Sequence, residues 1–275
     1  MIRSTRPLLA AAALALCAGL VTACQPPTGP RVLIFGDSIT IESKGSGDFA
    51  TILSSYRVDW TGTMYMSAPC NGLALAKKVT YVPDVVIINY AGNAGSFKDN
   101  CMAGEKDQAL ANRYRKDVQS LISKYRNGTT KIVIVGAPAR KPTLAQSNLV
   151  FTTLQSLAAD PANQVGFFDG GRLITPNRNA PSRAAACLSP RETQGGRCAA
   201  GGKNLIRDAQ LEHLCPTGGT IGGTCGQYSS GAVRLTLNFR DAIPKAKVAK
   251  RPTADVAPEP DPPTTTTTRP PLAFS

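Results

Sequence analysis

Three stretches of this chain are apolar at nearly every position rather than at every second one: residues 31–35, 84–90 and 131–136. A strand with one wet face alternates polar and apolar residues. A continuous Val/Ile/Leu run needs both faces covered, which is the environment of a parallel sheet sandwiched between helices. Residues 56–60 and 165–169 give weaker strand signals of the same kind. Between them lie helical periods. Leu110, Tyr114, Val118, Leu121 and Ile122 recur at three- and four-residue spacing within 105–125, and Leu144, Leu149, Leu154 and Leu157 do so within 143–159. Residues 228–240 read as a closing helix. Strands alternating with helices predict an α/β three-layer fold with right-handed crossovers. The stretch 170–227, rich in Gly, Arg, Asn and Cys, is expected to be loop-rich and stiffened by disulfides. At 275 residues the chain has room for one core of ordinary size, and the ordered domain is placed at 31–243.

The two ends differ in kind. Arg3 and Arg6 precede a short apolar run, Leu8 to Val21, too brief to span a bilayer comfortably; residues 1–23 read as an export signal. Leu20-Val21-Thr22-Ala23-Cys24 resembles a bacterial lipobox, which makes Cys24 the candidate lipidation site and a membrane anchor; the alternative is ordinary secretory cleavage near Ala23. Either way the chain is expected to leave the cytoplasm, as a lipoprotein on the outer face of the membrane or as a secreted protein. Residues 24–30 read as a linker. Residues 244–275, Pro- and Thr-rich with few apolar side chains, are expected to form a disordered tail.

Apart from Cys17 and Cys24, six cysteines remain. An even number in an exported chain argues for three disulfides among fifteen possible pairings. The local choice is Cys187–Cys198 and Cys215–Cys225, leaving Cys70–Cys101. Zinc fits poorly: no CxxC pair exists, and the single histidine excludes a multi-histidine metal site. The net charge of +13 comes from scattered Lys and Arg without a basic helix interleaved with aromatics. That suits anionic envelope polymers rather than nucleic acid.

In such a sheet, chemistry collects beyond the carboxyl ends of the strands. After the first strand stands Gly36-Asp37-Ser38-Ile39-Thr40, where glycine permits a tight turn and the serine begins a helix whose first N–H groups face outward. After the third comes Tyr90-Ala91-Gly92-Asn93-Ala94, whose asparagine amide can donate to an oxyanion. The sole histidine lies in Gln210-Leu211-Glu212-His213-Leu214-Cys215-Pro216. A serine hydroxyl is a weak nucleophile until a base takes its proton, and imidazole is the usual base near neutrality.

Together, Val32-Leu33-Ile34-Phe35-Gly36-Asp37-Ser38-Ile39, Gly92-Asn93 and His213 resemble the SGNH (GDSL-type) serine hydrolases over roughly residues 31–240. Ala68-Pro69-Cys70-Asn71, Asn100-Cys101-Met102 and His213-Leu214-Cys215-Pro216 resemble secreted actinobacterial members in particular. The resemblance implies a flavodoxin-like sheet and hydrolysis of a lipid ester or of an acyl group on envelope carbohydrate, through an acyl-enzyme, by a monomer without cofactor or metal. It implies Ser38 as nucleophile, His213 as base, and the Ser38 N–H with the Asn93 side chain as oxyanion hole. Asp37 is then expected to order the turn.

Two positions depart from the family pattern. Met66 stands where an oxyanion-hole glycine is expected, with Gly62 the lesser substitute. Gln210 stands three residues before the histidine, where the family carries its acid. Gln210 itself, Asp208, Glu212 or a backbone carbonyl is then left to orient His213. These departures motivate a second reading: a pseudoenzyme that binds carbohydrate or acyl ligands in the same cleft.

Overall fold

The computed structural model describes residues 28–45, 47–60, 68–93, 101–102, 104–216, 225 and 228–250. Five parallel strands form its centre: β1 (Arg31–Gly36), β2 (Arg57–Trp60), β3 (Val85–Asn89), β4 (Lys131–Gly136) and β5 (Gly166–Asp169). Their spatial order is β2-β1-β3-β4-β5, the flavodoxin-like arrangement. The described helices are α1 (Ser38–Lys44) and α2 (Phe49–Ile52) after β1, α3 (Pro69–Ala76) after β2, α4 (Asp107–Tyr125) after β3, α5 (Leu144–Ala159) after β4, and the closing α6 (Ser230–Ala242). Every strand and long helix expected from the pattern is present, within two residues of its expected limits.

The unbroken apolar runs have the predicted cause. In β1, Leu33 and Phe35 face one side and Val32 and Ile34 the other. The first pair joins Val86, Ile88, Ile132 and Ile134 against Leu110, Tyr114, Val118 and Leu121 of α4 and Leu154 of α5. The second joins Ile87, Val133 and Val135 against Ile39 of α1 and Val233, Leu235 and Phe239 of α6. These strand residues are buried on both faces of the sheet, so the three layers share two cores across one sheet.

The topology creates a switch point. From β1 the chain leaves through α1 on the α6 side; from β3 it leaves towards α4 on the opposite side. The adjacent strands β1 and β3 therefore send their following segments to opposite faces, and the crevice between their carboxyl ends is where such folds bind ligands.

The later part corrects two expectations. The ordered domain does not stop at 243. Strand β8 (Lys247–Val248) pairs antiparallel with β4, Lys131 opposite Val248. Ala249 is fully buried and its N–H reaches the Thr130 carbonyl, while the Lys250 N–H donates to Gln164 Oε1 at 2.9 Å. Ala249 joins the core beneath α4 and α5, which anchors these residues to the sheet apart from the Pro/Thr-rich tail. At the other end of the chain, the Pro30 carbonyl already accepts from the Arg57 N–H. Residues 1–27 and 251–275, which carry the signal, Cys24 and the rest of the tail, lie outside the described residues.

Within 170–227 a short antiparallel pair, β6 (Ala184–Ala186) with β7 (Lys203–Leu205), was not expected. Three residues per strand are too few to leave a periodic trace. A buried Glu192 organises this region, accepting from the Leu188 N–H at 2.6 Å and the Tyr228 hydroxyl at 2.8 Å. The cysteines pair as Cys70–Cys101, Cys187–Cys198 and Cys215–Cys225, with Cα separations of 6.3, 5.7 and 5.0 Å.

Ile87 sits fully buried on the central strand, in the core shared with α6. The variant Ile87→Ala is expected to lose about 2–5 kcal/mol of unfolding free energy, read from the midpoint of a urea titration with the denaturant slope unchanged.

Candidate active site

The turn after β1 is built around two buried polar side chains. Asp37 caps α1, its Oδ1 accepting from the Ile39 N–H at 3.2 Å. Its Oδ2 accepts from the Ala91 N–H at 2.7 Å, across the crevice beyond β3. One carboxylate thus fixes both banks of the switch point. Burial pushes the Asp37 carboxyl up, opposed by the Arg140 guanidinium and these two N–H donors. Thr40, one turn into α1, donates to the Asn89 carbonyl and side-chain oxygen, and Asn89 Nδ2 donates to the Val135 carbonyl at 2.7 Å. Gly36 is required here: a Cβ would collide with Thr40 Oγ1 and the Asn89 carbonyl.

On this scaffold Ser38 is half-buried at the first position of α1. Its hydroxyl makes no hydrogen bond among the described residues. Across the crevice, Gly92 adopts a φ of 90°, which disfavours any side chain, and its carbonyl accepts from Gln146 Nε2 at 2.6 Å. Asn93 follows, 4% exposed. Its carbonyl is held by the Tyr114 hydroxyl at 3.0 Å, while its Nδ2 is buried without a hydrogen-bond partner among the described residues. A buried amide donor left unpaired is costly, and its position beside the crevice makes it a donor ready for an incoming oxygen.

His213 arrives on a loop held at many points. The Arg207 side chain is buried and donates to the carbonyls of Ala139 at 2.6 Å and Leu211 at 3.1 Å; burial pushes its guanidinium pKa down to about 10. Asp208 accepts from the Glu212 N–H at 2.8 Å through Oδ1, and its N–H donates to the His213 carbonyl at 3.1 Å. Arg140 reaches Glu212 Oε1 at 3.4 Å. On the other side of the histidine, the Cys215–Cys225 bridge follows, and Ser229 Oγ, the cap of α6, donates to the Leu214 carbonyl at 2.5 Å.

The imidazole itself meets a residue that sequence reasoning passed over. Nδ1 of His213 lies 2.5 Å from Oε1 of Glu42, and Glu42 Oε2 accepts from the Leu214 N–H, also at 2.5 Å. Glu42 is fully buried. It lies on α1, four residues after Ser38, so the two share a helix face. The hydrogen bond from the ring to Glu42 raises the His213 pKa, against the opposing cost of burial, and Glu212 and Asp208 add smaller raising effects.

The other orienting candidates lie elsewhere. Gln210 is exposed and makes no side-chain hydrogen bond among the described residues. Asp208 and Glu212 spend their closest contacts within the loop and on Arg140. Gln210 is therefore corrected: it does not face the histidine, because the loop turns at Leu211, whose φ is 59°, and carries Gln210 outwards. Met66 and Gly62 lie outside the described residues. A signal for Glu42 was present in Ser38-Ile39-Thr40-Ile41-Glu42, an acid embedded in a helix whose neighbours must pack on the sheet.

A cavity of about 610 Å³ lies at the opposite end of the strands, lined by Pro30, Arg57, Asp84 and Lys131 among others, and none of the site residues borders it.

No family model matches the sequence, and no curated protein sequence matches it. Solved structures with a similar chain course include an acetyl xylan esterase (TM-score 0.48, 15% identity, 78% of this chain and 99% of that one). They also include the C-terminal catalytic domain of the Streptococcus pneumoniae peptidoglycan O-acetyltransferase A (0.46, 12%, 81% and 98%) and a GDSL-like lipase from Bacteroides thetaiotaomicron (0.46, 14%, 84% and 97%). At such identities the chain's own side chains decide the chemistry.

Asp37→Asn removes one of two carboxylate oxygens that each hold a buried N–H. It is expected to cost about 1–3 kcal/mol, measured as a lowered urea midpoint at neutral pH.

Proposed function

We propose that this protein is an extracytoplasmic serine ester hydrolase of the SGNH type. The observation that carries the reading is that the only histidine, far from Ser38 in sequence, is clamped to the short helix that Ser38 begins.

In the proposed reaction Ser38 Oγ attacks the ester carbonyl carbon while its proton passes to Nε2 of His213. The carbonyl oxygen, now an oxyanion, is received by the Ser38 N–H and Asn93 Nδ2. The tetrahedral centre collapses, the alcohol leaves with the proton from Nε2, and Ser38 is left acylated. Water then attacks the acyl carbon, gives its proton to Nε2, and the released Ser38 oxygen takes that proton back. Asp37 holds the turn and does no proton transfer. No cofactor or metal enters the scheme.

The substrate class is a carboxylic ester: a lipid ester or an O-acyl group on envelope carbohydrate. Location outside the cytoplasm is supported by the three cysteine pairs, which persist only in an oxidising compartment. It is further supported by the leader at 1–23, with Cys24 as a lipid anchor to the membrane or cleavage near Ala23. The protein acts as a monomer, and its positive charge favours retention among anionic envelope polymers. The pseudoenzyme reading drew on Gln210 and Met66; a carboxylate at His213 Nδ1 removes the first of these motives.

Ser38→Ala is expected to lower the hydrolysis of p-nitrophenyl acetate by the purified protein to the uncatalysed rate, with an unchanged circular-dichroism spectrum. Full hydrolysis by this variant, or none by the wild type, overturns the assignment.

A further inference from the structure

We propose that Glu42 is the positioning residue of His213: it fixes the ring, selects its tautomer and balances the imidazolium, in place of an acid from the histidine's own loop. This deepens the reading above and rests on it for its catalytic consequence, though not for the state of the ring.

An ionised carboxylate only accepts hydrogen bonds, so a ring nitrogen held 2.5 Å from Glu42 Oε1 must be the donor. The neutral ring is then the Nδ1–H tautomer, with its lone pair on Nε2. That is the form a general base needs.

Glu42 Oε2 holds the Leu214 N–H, so one carboxylate grips the side chain of one residue and the backbone of the next. The ring cannot swing away without the loop also letting go. Arg207 on the loop's carbonyls and the Cys215–Cys225 bridge hold the rest.

The Glu42 charge is fully buried, where it interacts more strongly with an imidazolium than it would in water. It also stands on the nucleophile's own helix, one turn away, so Ser38 and the base are located by the same rigid element. The charged groups around the ring are Glu42 from α1 and Asp208 and Glu212 from its own loop, with Arg140 paired to Glu212 and Arg207 close enough to interact with Glu42. Among the described residues, Glu42 alone is hydrogen-bonded to the imidazole.

A structural clamp and a positioning residue differ in what they do to the ring. Because the chain has one histidine, a tag-free sample gives a single imidazole signal by NMR. In the wild type the nitrogen shifts are expected to report the Nδ1–H tautomer and a titration midpoint above the ordinary value of about 6.5. In Glu42→Gln the midpoint falls towards or below that value. A glutamine can turn its oxygen to the Leu214 N–H and donate from its NH2 to a bare Nδ1, so the Nδ1–H tautomer is no longer enforced. For p-nitrophenyl acetate, kcat is expected to drop on the order of 10²–10⁴-fold with KM changed by less than about threefold, and the acidic limb of the pH profile moves to lower pH. Glu42→Asp, a carboxylate one methylene short, recovers part of the midpoint and of kcat. Gln210→Ala leaves both as in the wild type.

An unchanged midpoint in a folded Glu42→Gln protein overturns the proposal, as does an unchanged kcat. Should that variant not fold, the wild-type spectrum decides: an Nε2–H tautomer in the neutral ring overturns it. A wild type with the expected ring state but no hydrolysis leaves the Glu42 contact standing and removes the esterase reading instead.

Discussion

The structure depends on one buried carboxylate. Glu42 is fully enclosed, and a charge taken out of water is tolerated only when strong donors replace the water. Its donors are the His213 ring and the Leu214 backbone, which come from the far end of the domain. The carboxylate therefore needs the C-terminal loop as much as the loop needs an anchor. That mutual requirement draws a disulfide-bonded, loop-rich segment onto the helix that follows the first strand, and α6 holds it there through the Ser229 contact to Leu214 and the Thr236 contact to Ser43 of α1.

What the sheet contributes is a place for this to happen. Adjacent strands whose chains leave to opposite faces open a crevice, and Asp37, Thr40 and Asn89 lock its two sides together from beneath. These side chains are buried and hydrogen-bonded, so they give a fixed geometry without meeting a ligand. Above them, Asn93 Nδ2 has no hydrogen-bond partner among the described residues. In the proposed mechanism that rigid floor holds the donor and Ser38 in place for a developing oxyanion.

The strands and helices were legible because each buried run obeyed one period. The three-layer arrangement follows from Val32 to Phe35 having no polar face, and the α4 stripe from Leu110 to Ile122 needs a partner surface. Short motifs, not periodicity, singled out Ser38 after β1, Asn93 after β3 and the lone His213 on its loop. Glu42 was not legible as a partner of His213, since the pair lies 171 residues apart and no local period encodes a contact between a helix and a distant loop. The family spacing and chain proximity pointed to Gln210, Asp208, Glu212 or a backbone carbonyl instead. The positive φ of Leu211 explains the error: one left-handed residue turns the chain, sends Gln210 outwards and ties Asp208 back onto Glu212. The strand at 247–248 was hidden by the proline-rich composition around it, its two residues visible only through their pairing with β4.

The central claim is that Ser38 is activated by an imidazole which Glu42 holds in place. It is tested most directly by the rate at which a fluorophosphonate modifies the purified protein across pH, with the adduct located by peptide mass spectrometry. The expected result is one adduct per chain, on the peptide bearing Ser38, with a rate that rises with pH along the deprotonation of His213. Labelling elsewhere, or a rate at Ser38 that ignores the ionisation of His213, would contradict it.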